Sequence, residues 1–275
     1  MGCYEGKVAT LDVKYGRLQK ILQDYGRVMV AFSGGIDSTL VLKAAVDALH
    51  KNVLAVTITG AIFPSNESKE AVESANLIGV EHVLLEYNEI GQPPFANNPP
   101  DRCYHCKKNM YSKLLAVAAA QGINVVVDGS NADDLQDYRP GLRAAIELGV
   151  YSPLKEVGLC KEEIRALSRK IGLSTADKPA NPCLATRFPY GTPIDLKSLQ
   201  QVEQAESYLL QLGIPQVRVR HHGNLARIEV PEKYLSFVLG HASAIESKLK
   251  GLGYTYVALD LRGYRTGSMN EAISV

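Results

Sequence analysis

The segment Arg27–Leu40, RVMVAFSGGIDSTL, decides how the chain is read. Val28–Phe32 is a short apolar, β-branched run of the kind found in a strand covered on both faces. Ser33-Gly34-Gly35 follows at once, and its two glycines can take positive φ and let backbone N–H groups come close to a ligand. Ile36–Ala48 then carries helical spacing through Ile36, Leu40, Leu42 and Ala45. Strand, small-residue turn and helix start together aim unpaired amides and the positive end of a helix dipole at one point. An anion such as pyrophosphate fits there. A strand-to-helix turn that binds nothing also often has a glycine pair, so the longer string matters.

Ser33-Gly34-Gly35-Ile36-Asp37-Ser38 resembles the SGGxDS turn of the PP-loop ATP pyrophosphatases of the N type. Those enzymes cleave ATP between its α- and β-phosphates and adenylate a carboxylate or a carbonyl. The Gly-Lys-Ser/Thr end of a Walker loop is missing, which disfavours γ-phosphoryl transfer. The resemblance implies that Ala31, Ser33, Gly34, Gly35, Asp37 and Ser38 bind ATP. Among them Ser33, Gly35, Asp37 and Ser38 would hold pyrophosphate, with Asp37 beside its Mg2+.

The 275 residues suffice for one domain plus a smaller one. A formal net charge of +1 gives no global field that would favour nucleic acid or a membrane surface. Hydrophobic content of 46% and charged content of 21% describe an ordinary soluble protein, with no run of eighteen apolar residues. A cytoplasmic location is expected, with no membrane and no nucleic-acid partner.

Alternation of strands and helices continues from the glycine turn. Leu11–Tyr25 reads as a helix before it, and Asn52–Thr59, His82–Glu86 and Asn124–Asp128 read as further strands. Ser68–Ile78, Tyr104–Gln121 and Lys161–Ile171 read as helices, each followed by a glycine. This order predicts an α/β fold, a parallel sheet with helices on both faces. Ligands in such sheets collect beyond the carboxyl ends of the strands, where Ser33, Thr57 and Gly129 fall. Within the PP-loop resemblance Thr57 meets adenine and Gly129 belongs to the ATP site. Asp128–Asp134 alone reads as an Asx-rich turn, and it also resembles a G-x-N-x-D-D segment of tRNA-thiolating pyrophosphatases near the nucleotide. Arg139, further along that loop, is a candidate phosphate or substrate contact.

Past Arg187-Phe188-Pro189-Tyr190-Gly191 the character changes. Leu196–Leu212 is predicted helical, Gln216–His221 and Leu225–Val230 are strands, Pro231–Leu252 is helical and Tyr254–Asp260 is a last strand. The expected division is a PP-loop ATP pyrophosphatase domain over residues 1–190 and a small α+β domain over 191–275 for substrate binding or oligomer contacts. Arg218 and Arg220 share one strand face, a fork for phosphate or carboxylate or else simply a solvated surface.

Five cysteines, Cys3, Cys103, Cys106, Cys160 and Cys183, argue for metal or reactive thiols over a disulfide framework. Cys103-Tyr104-His105-Cys106 opens a helix; such a CxxC is redox-active, half a zinc site, or chance. A tetrahedral zinc site lacks a good fourth ligand, whereas three thiolates suit a [4Fe–4S] cluster with one open iron.

Along essentially its whole length the chain resembles the LarE-type ATP-dependent sulfur transferases. The match runs through SGGIDSTLVLK (Ser33–Lys43), Asp137-Tyr138-Arg139-Pro140-Gly141-Leu142, Thr186–Gly191, VRVR (Val217–Arg220) and ARIEVP (Ala226–Pro231). Those enzymes adenylate pyridinium-3,5-biscarboxylic acid mononucleotide and install sulfur as a thiocarboxylate, on the way to the nickel-pincer nucleotide of lactate racemase. The resemblance implies ATP, Mg2+ and a [4Fe–4S] cluster on Cys103, Cys106 and Cys183, with sulfide or another sulfur donor. Catalytic weight falls on Cys183, Cys103, Cys106 and Asp37. Phosphate and substrate binding fall on Arg187, Glu206, Arg218, Arg220 and Arg139, and a homo-oligomer is expected. Two rival enzymes remain, a protein that sacrifices the sulfur of Cys183 and a cluster-bearing tRNA thiolase. A zinc- or nucleotide-binding regulator is the non-enzymatic rival.

Overall fold

A computed structural model describes residues 10–136, 140–265 and 267–272. Arg139 and Cys3 lie outside the described residues. The elements in chain order are α1 (Leu11–Tyr25), β1 (Val28–Ala31), α2 (Ile36–Leu49), β2 (Val53–Thr59), α3 (Ser65–Ile78) and β3 (Glu81–Glu86). There follow α4 (Pro93–Ala96), α5 (Arg102–Ala120), β4 (Val125–Val127), α6 (Pro140–Glu147), α7 (Pro153–Glu156) and α8 (Lys161–Lys170). The rest are α9 (Leu196–Gln211), β5 (Arg218–His222), β6 (Leu225–Glu229), α10 (Leu235–Gly240), α11 (Ala242–Gly251) and β7 (Tyr256–Leu259). The chain divides into two compact units. The first holds Met1–Gly60, Ser65–Tyr87 and Cys103–Asn181, and the second holds Ala61–Pro64, Asn88–Arg102 and Pro182–Val275.

In the first unit the four strands are all parallel, in the order β3-β2-β1-β4. Val28 pairs with Val53 on one side and Val125 on the other, so β1 is central, with Val28, Met29 and Val30 buried and Ala31 half-buried. Nearly every apolar residue of α2 is buried too, among them Ile36, Leu40, Val41, Leu42, Ala44 and Ala45. The segments after β1 and β4 meet beyond the carboxyl ends of these neighbouring strands, where such sheets form their binding crevice.

Two glycines make that crevice narrow. Gly34 has φ +69°, and a Cβ there would also lie 3.1 Å from Ala71 of α3. Gly129, just after β4, sits so close to the first turn of α2 that a Cβ would lie 2.7 Å from the Ser38 nitrogen and 3.1 Å from the Asp37 carbonyl carbon. Asp128 beside it is a buried carboxylate satisfied on all sides. It accepts the Tyr111 hydroxyl at 2.6 Å, the Ser130 amide at 3.0 Å, and the Ser130 and Ser152 hydroxyls, each at 2.8 Å. Thr57 in β2 is buried; its hydroxyl donates to the Phe32 carbonyl at 2.7 Å and meets His82 Nε2 at 2.8 Å.

The second unit is built on a mixed three-stranded sheet, β5 antiparallel to β6 and β6 parallel to β7. One face carries Val219, Ala226 and Ile228 onto Ala205 and Leu209 of α9. The helical period expected over 231–252 is two helices, α10 and α11, interrupted at His241, whose Nδ1 bonds to the Phe237 carbonyl at 2.8 Å. The segment 88–102 is stitched to 189–194: Asn98 donates to the Pro189 and Thr192 carbonyls, and Ile194 to that of Ala96. The opposite sheet face, with Arg218 and Arg220, is buried.

Two stability predictions follow from the first unit. Gly129→Ala meets backbone that no side-chain rotation can relieve, and in urea unfolding it should cost about 1–3 kcal/mol. Burial lowers the His82 imidazole below its ordinary value of 6.5. The unfolded chain therefore takes up the proton first, so the contribution of His82 is complete above its unfolded pKa and is lost as pH falls toward its folded value. His82→Gln should thus lose less stability than the parent between about pH 7 and pH 5 in the same measurement.

Candidate functional site

Residues expected at the ATP turn come together in the first unit. Gly35 is the N-cap of α2 and provides no side-chain cap, leaving the first-turn amides without a side-chain acceptor from that position. The turn braces itself: Ser33 and Ser38 hydroxyls lie 3.0 Å apart, Ser33 N–H donates to Ser38 Oγ at 3.2 Å, and Ser38 and Thr39 hydroxyls both donate to the Gly35 carbonyl. Ala31 ends β1 immediately before it.

Asp37, in the first turn of α2, belongs to a closed ring of hydrogen bonds. Its Oδ1 accepts from Asn131 at 3.3 Å, Asn131 Oδ1 accepts the Asp133 amide at 3.0 Å, and Asp133 Oδ2 accepts the Lys161 amide at 2.7 Å. Lys161 Nζ closes the ring as an ion pair on Asp37 Oδ2. Lys178 approaches the same turn from a later loop, donating to the Gly34 carbonyl at 3.2 Å and pairing with Glu67 and Glu70, each at 2.7 Å. Burial works against the Lys178 charge, but the two glutamates outweigh it and its pKa rises. Lys161 and Lys178 were not singled out as site residues in the sequence. The one signal of Lys161 was its place at the start of a helix in a PL-x-E-x-x-x-x-K-x-E-I-R string; Lys178 had none. Thr57 lies one carbonyl away from Ser33, but its hydroxyl is already committed to Phe32 and His82.

Cys103 and Cys106 sit one turn apart at the start of α5, Cys103 half-buried and Cys106 buried with its Sγ 3.4 Å from Met110 Sδ. Neither is in a disulfide among the described residues, nor is Cys160, buried at the N-cap of α8. Within each unit, among the described residues, no three His, Cys, Asp or Glu side chains stand together as a metal-holding group. The donor chemistry nevertheless suits the implied groups: Cys103, Cys106 and Cys183 carry soft sulfur appropriate to iron–sulfur and stand outside any disulfide among the described residues, and Asp37 offers hard carboxylate oxygen appropriate to Mg2+.

In the second unit Arg187, Glu206, Arg218, Arg220 and Cys183 come together. Arg187 is wholly buried and grips Glu206 with two parallel bonds, Nε to Oε1 at 2.9 Å and Nη2 to Oε2 at 2.8 Å. Burial disfavours its charge, and Glu206 more than offsets that, so its pKa is raised. Arg220 pairs with the fully buried Glu229 at 2.7 Å and with Ser268 Oγ at 2.9 Å, while its Nε finds no partner among the described residues. Arg218 lies over the Tyr264 ring, 5.4 Å from its centroid. Its pKa is pushed down to about 10 by burial first and by Arg187 next. The strand face that alternation suggested could be solvated is thus a buried charged layer. Arg227 and Arg265, drawn in through Glu229 and Asp260, extend that layer without any sequence signal.

No helix among the described residues is long and apolar enough to cross a membrane. The asparagine synthase family matches residues 19–144, the stretch from α1 to α6 that holds Asp37, Asn131 and Asp133. The chain is 43% identical over 270 residues to the pyridinium-3,5-bisthiocarboxylic acid mononucleotide synthase of Lactiplantibacillus plantarum, covering 97% of each chain. It is 43% identical over 266 residues to an uncharacterized protein of Synechocystis, covering 96% of this chain and 99% of that one. A tRNA-specific 2-thiouridylase of Caulobacter vibrioides matches at 25% over 215 residues, 63% of this chain and 56% of its own. Identity of 43% sustained over nearly the full length of both chains means that this protein belongs to the LarE-type family of ATP-dependent sulfur transferases.

Proposed function

We propose that the protein uses ATP to activate one carboxylate of pyridinium-3,5-biscarboxylic acid mononucleotide and replaces the activated oxygen by sulfur, giving the thiocarboxylate. The observation that carries this reading is the glycine turn at the start of α2, with its first-turn amides uncapped by Gly35 and Asp37 fixed beside them, in a chain 43% identical to the curated synthase. The L. plantarum protein is named for the bis-thiocarboxylic product, and the substrate is taken from that name.

The chemistry needs ATP because a carboxylate is a poor electrophile. A carboxylate oxygen attacks the α-phosphorus, the α–β phosphoanhydride bond breaks, and pyrophosphate leaves with the bonding pair. Amides of the α2 first turn and the Ser33 and Ser38 hydroxyls are suited to the charge that builds on the leaving pyrophosphate. Lys161 and Lys178 add positive charge around the same turn. Sulfide then attacks the acyl carbon, and AMP leaves as the C–O bond breaks. Asp37 is suited to holding Mg2+, which would offset phosphate charge when bound. Cys103, Cys106 and Cys183 are the residues that would hold a [4Fe–4S] cluster, which supplies an open iron for sulfide when bound. On the second unit, Arg218 and Arg220 are proposed to receive the phosphate of the substrate nucleotide. The small domain over 191–275 as a substrate or oligomer-forming region belongs to the same reading, as do adenine near Thr57 and Gly129 and a homo-oligomer in the cytoplasm.

Anaerobic incubation with Mg-ATP, sulfide and the dicarboxylate nucleotide, followed by mass measurement of protein and product, tests the reading. A product heavier by the exchange of oxygen for sulfur, with protein mass unchanged, is expected. Loss of one sulfur from Cys183 would mark sacrifice in its place, and absence of product under both regimes would remove the assignment. Anaerobically prepared protein should contain iron and acid-labile sulfide at about four each per chain, falling sharply in Cys103→Ala; zinc without sulfide would support the regulator. Asp37→Asn should lower ATP-dependent pyrophosphate release by roughly 100-fold or more while leaving the unfolding midpoint close to that of the parent.

A further inference from the structure

Cys183 is the N-cap of a short 3-10 turn, Leu184–Arg187, and that segment is held by its main chain. Its carbonyl groups bond to buried guanidinium groups. Arg187 Nη1 donates to the Pro182 carbonyl at 2.7 Å, to the Cys183 carbonyl at 3.1 Å and to Thr186 Oγ1 at 2.9 Å. Thr186 relays the hold, since its hydroxyl donates to the same Cys183 carbonyl at 2.9 Å. Arg220, on β5, donates to the Thr186 carbonyl at 3.1 Å.

The remaining nitrogens of Arg187 are spent on Glu206, and Glu206 is itself fixed, because its Oε1 accepts the Val219 amide of β5 at 2.9 Å. A path of hydrogen bonds therefore runs from the sheet through Glu206 and Arg187 to the peptide of Cys183. A guanidinium with 0% exposed surface has no free edge for an incoming phosphate. To take one it would have to release Glu206 and leave a buried carboxylate uncompensated, a strongly destabilising step.

We propose that Arg187, locked on Glu206, is a positioning residue that fixes the main chain at Cys183 so that its thiol is presented in one place. This rests on the reading of Cys183 as a sulfur-handling thiol. Arginine suits the geometry, because its fork serves two carboxylate oxygens and two carbonyls at once. An ammonium on a flexible stem serves one or two of them.

The test compares Arg187→Lys and Thr186→Val with the parent by the rate of iodoacetamide labelling at Cys183, with Cys103 in the same molecule as reference. Loosening of the loop should raise the Cys183-to-Cys103 ratio about tenfold in Arg187→Lys and severalfold in Thr186→Val, as local opening predicts. Turnover should fall by roughly 10- to 100-fold with KM for ATP and for the nucleotide held within twofold, as misplacement of a reacting group predicts. Thr186→Val is nearly isosteric and carries the test should Arg187→Lys fail to fold. An unchanged labelling ratio in the folded variants would overturn the proposal. So would a rise in KM for the nucleotide with kcat kept, which would mark Arg187 as a substrate ligand. Cys183→Ala with full turnover would overturn the sulfur role itself, and the labelling ratio tells that failure apart from failure of the clamp.

Discussion

The close approach of Gly129 to the first turn of α2 is the constraint on which the first unit depends. Neighbouring parallel strands bring the ends of β1 and β4 side by side, and with ordinary residues the two following segments would be held apart by their Cβ atoms. Glycine at 129 removes that spacer, since a Cβ there would fall 2.7 Å from a backbone nitrogen. Once the two segments touch, Asn131 and Asp133 are within reach of Asp37 and of the start of α8. The buried Asp128, accepting four hydrogen bonds, keeps the β4 side of the contact rigid. A precise polar ring is thus assembled from short side chains on otherwise mobile kinds of structure, the loops.

The second unit solves a different problem. It buries several guanidinium and carboxylate groups on one face of a small sheet, and such burial is seldom favourable for stability when measured against an apolar layer. Arg187 with Glu206 and Arg220 with Glu229 are each matched in charge and geometry, which keeps the penalty bounded. Arg218 has the more exposed electrostatic position, with Arg187 and Arg220 both opposing its charge. Directly opposed Arg220 and Arg227 on β5 and β6 would repel each other, and Glu229, bonded to both, offsets this.

Most of the fold was legible because hydrophobic period and glycine punctuation act locally. Leu11–Tyr25 is α1 to the residue, and β1 and α2 fall where the Arg27–Leu40 string puts them. Within 231–252 a single apolar period concealed a break, because α10 and α11 each bury an apolar stripe, Val238 on one and Ile245 and Leu249 on the other. The glycine turn was legible for the same local reason, whereas its charged neighbours were not. The Asp37–Lys161 pair joins positions 124 apart in the chain, and no periodicity reaches that far. Alternation along β5 correctly put Arg218 and Arg220 on one face, but it could not reveal that Tyr264 and Ser268 reach that face and bury it.

An aspartate beside an uncapped helix start raises an electrostatic difficulty for any anion arriving there, and the Asp37 ring answers it. A bare carboxylate competes with any anion for the positive end of α2, and two like charges about 4 Å apart repel by roughly 4 kcal/mol at an effective dielectric of 20. Lys161, paired on Oδ2, brings the local charge near neutral, and Asn131 turns a second donor onto Oδ1. The carboxylate is therefore held in one orientation with its charge balanced by a neighbour. Both members of the pair retain partial exposure, at 34% for the lysine and 24% for the aspartate, so water screens the pair and opening it costs little. A buried pair resists opening, since each charge would be stranded in low dielectric. That difference separates the two charged centres of the molecule: the pair at Asp37 is open to solvent, and the pair at Arg187 is sealed from it.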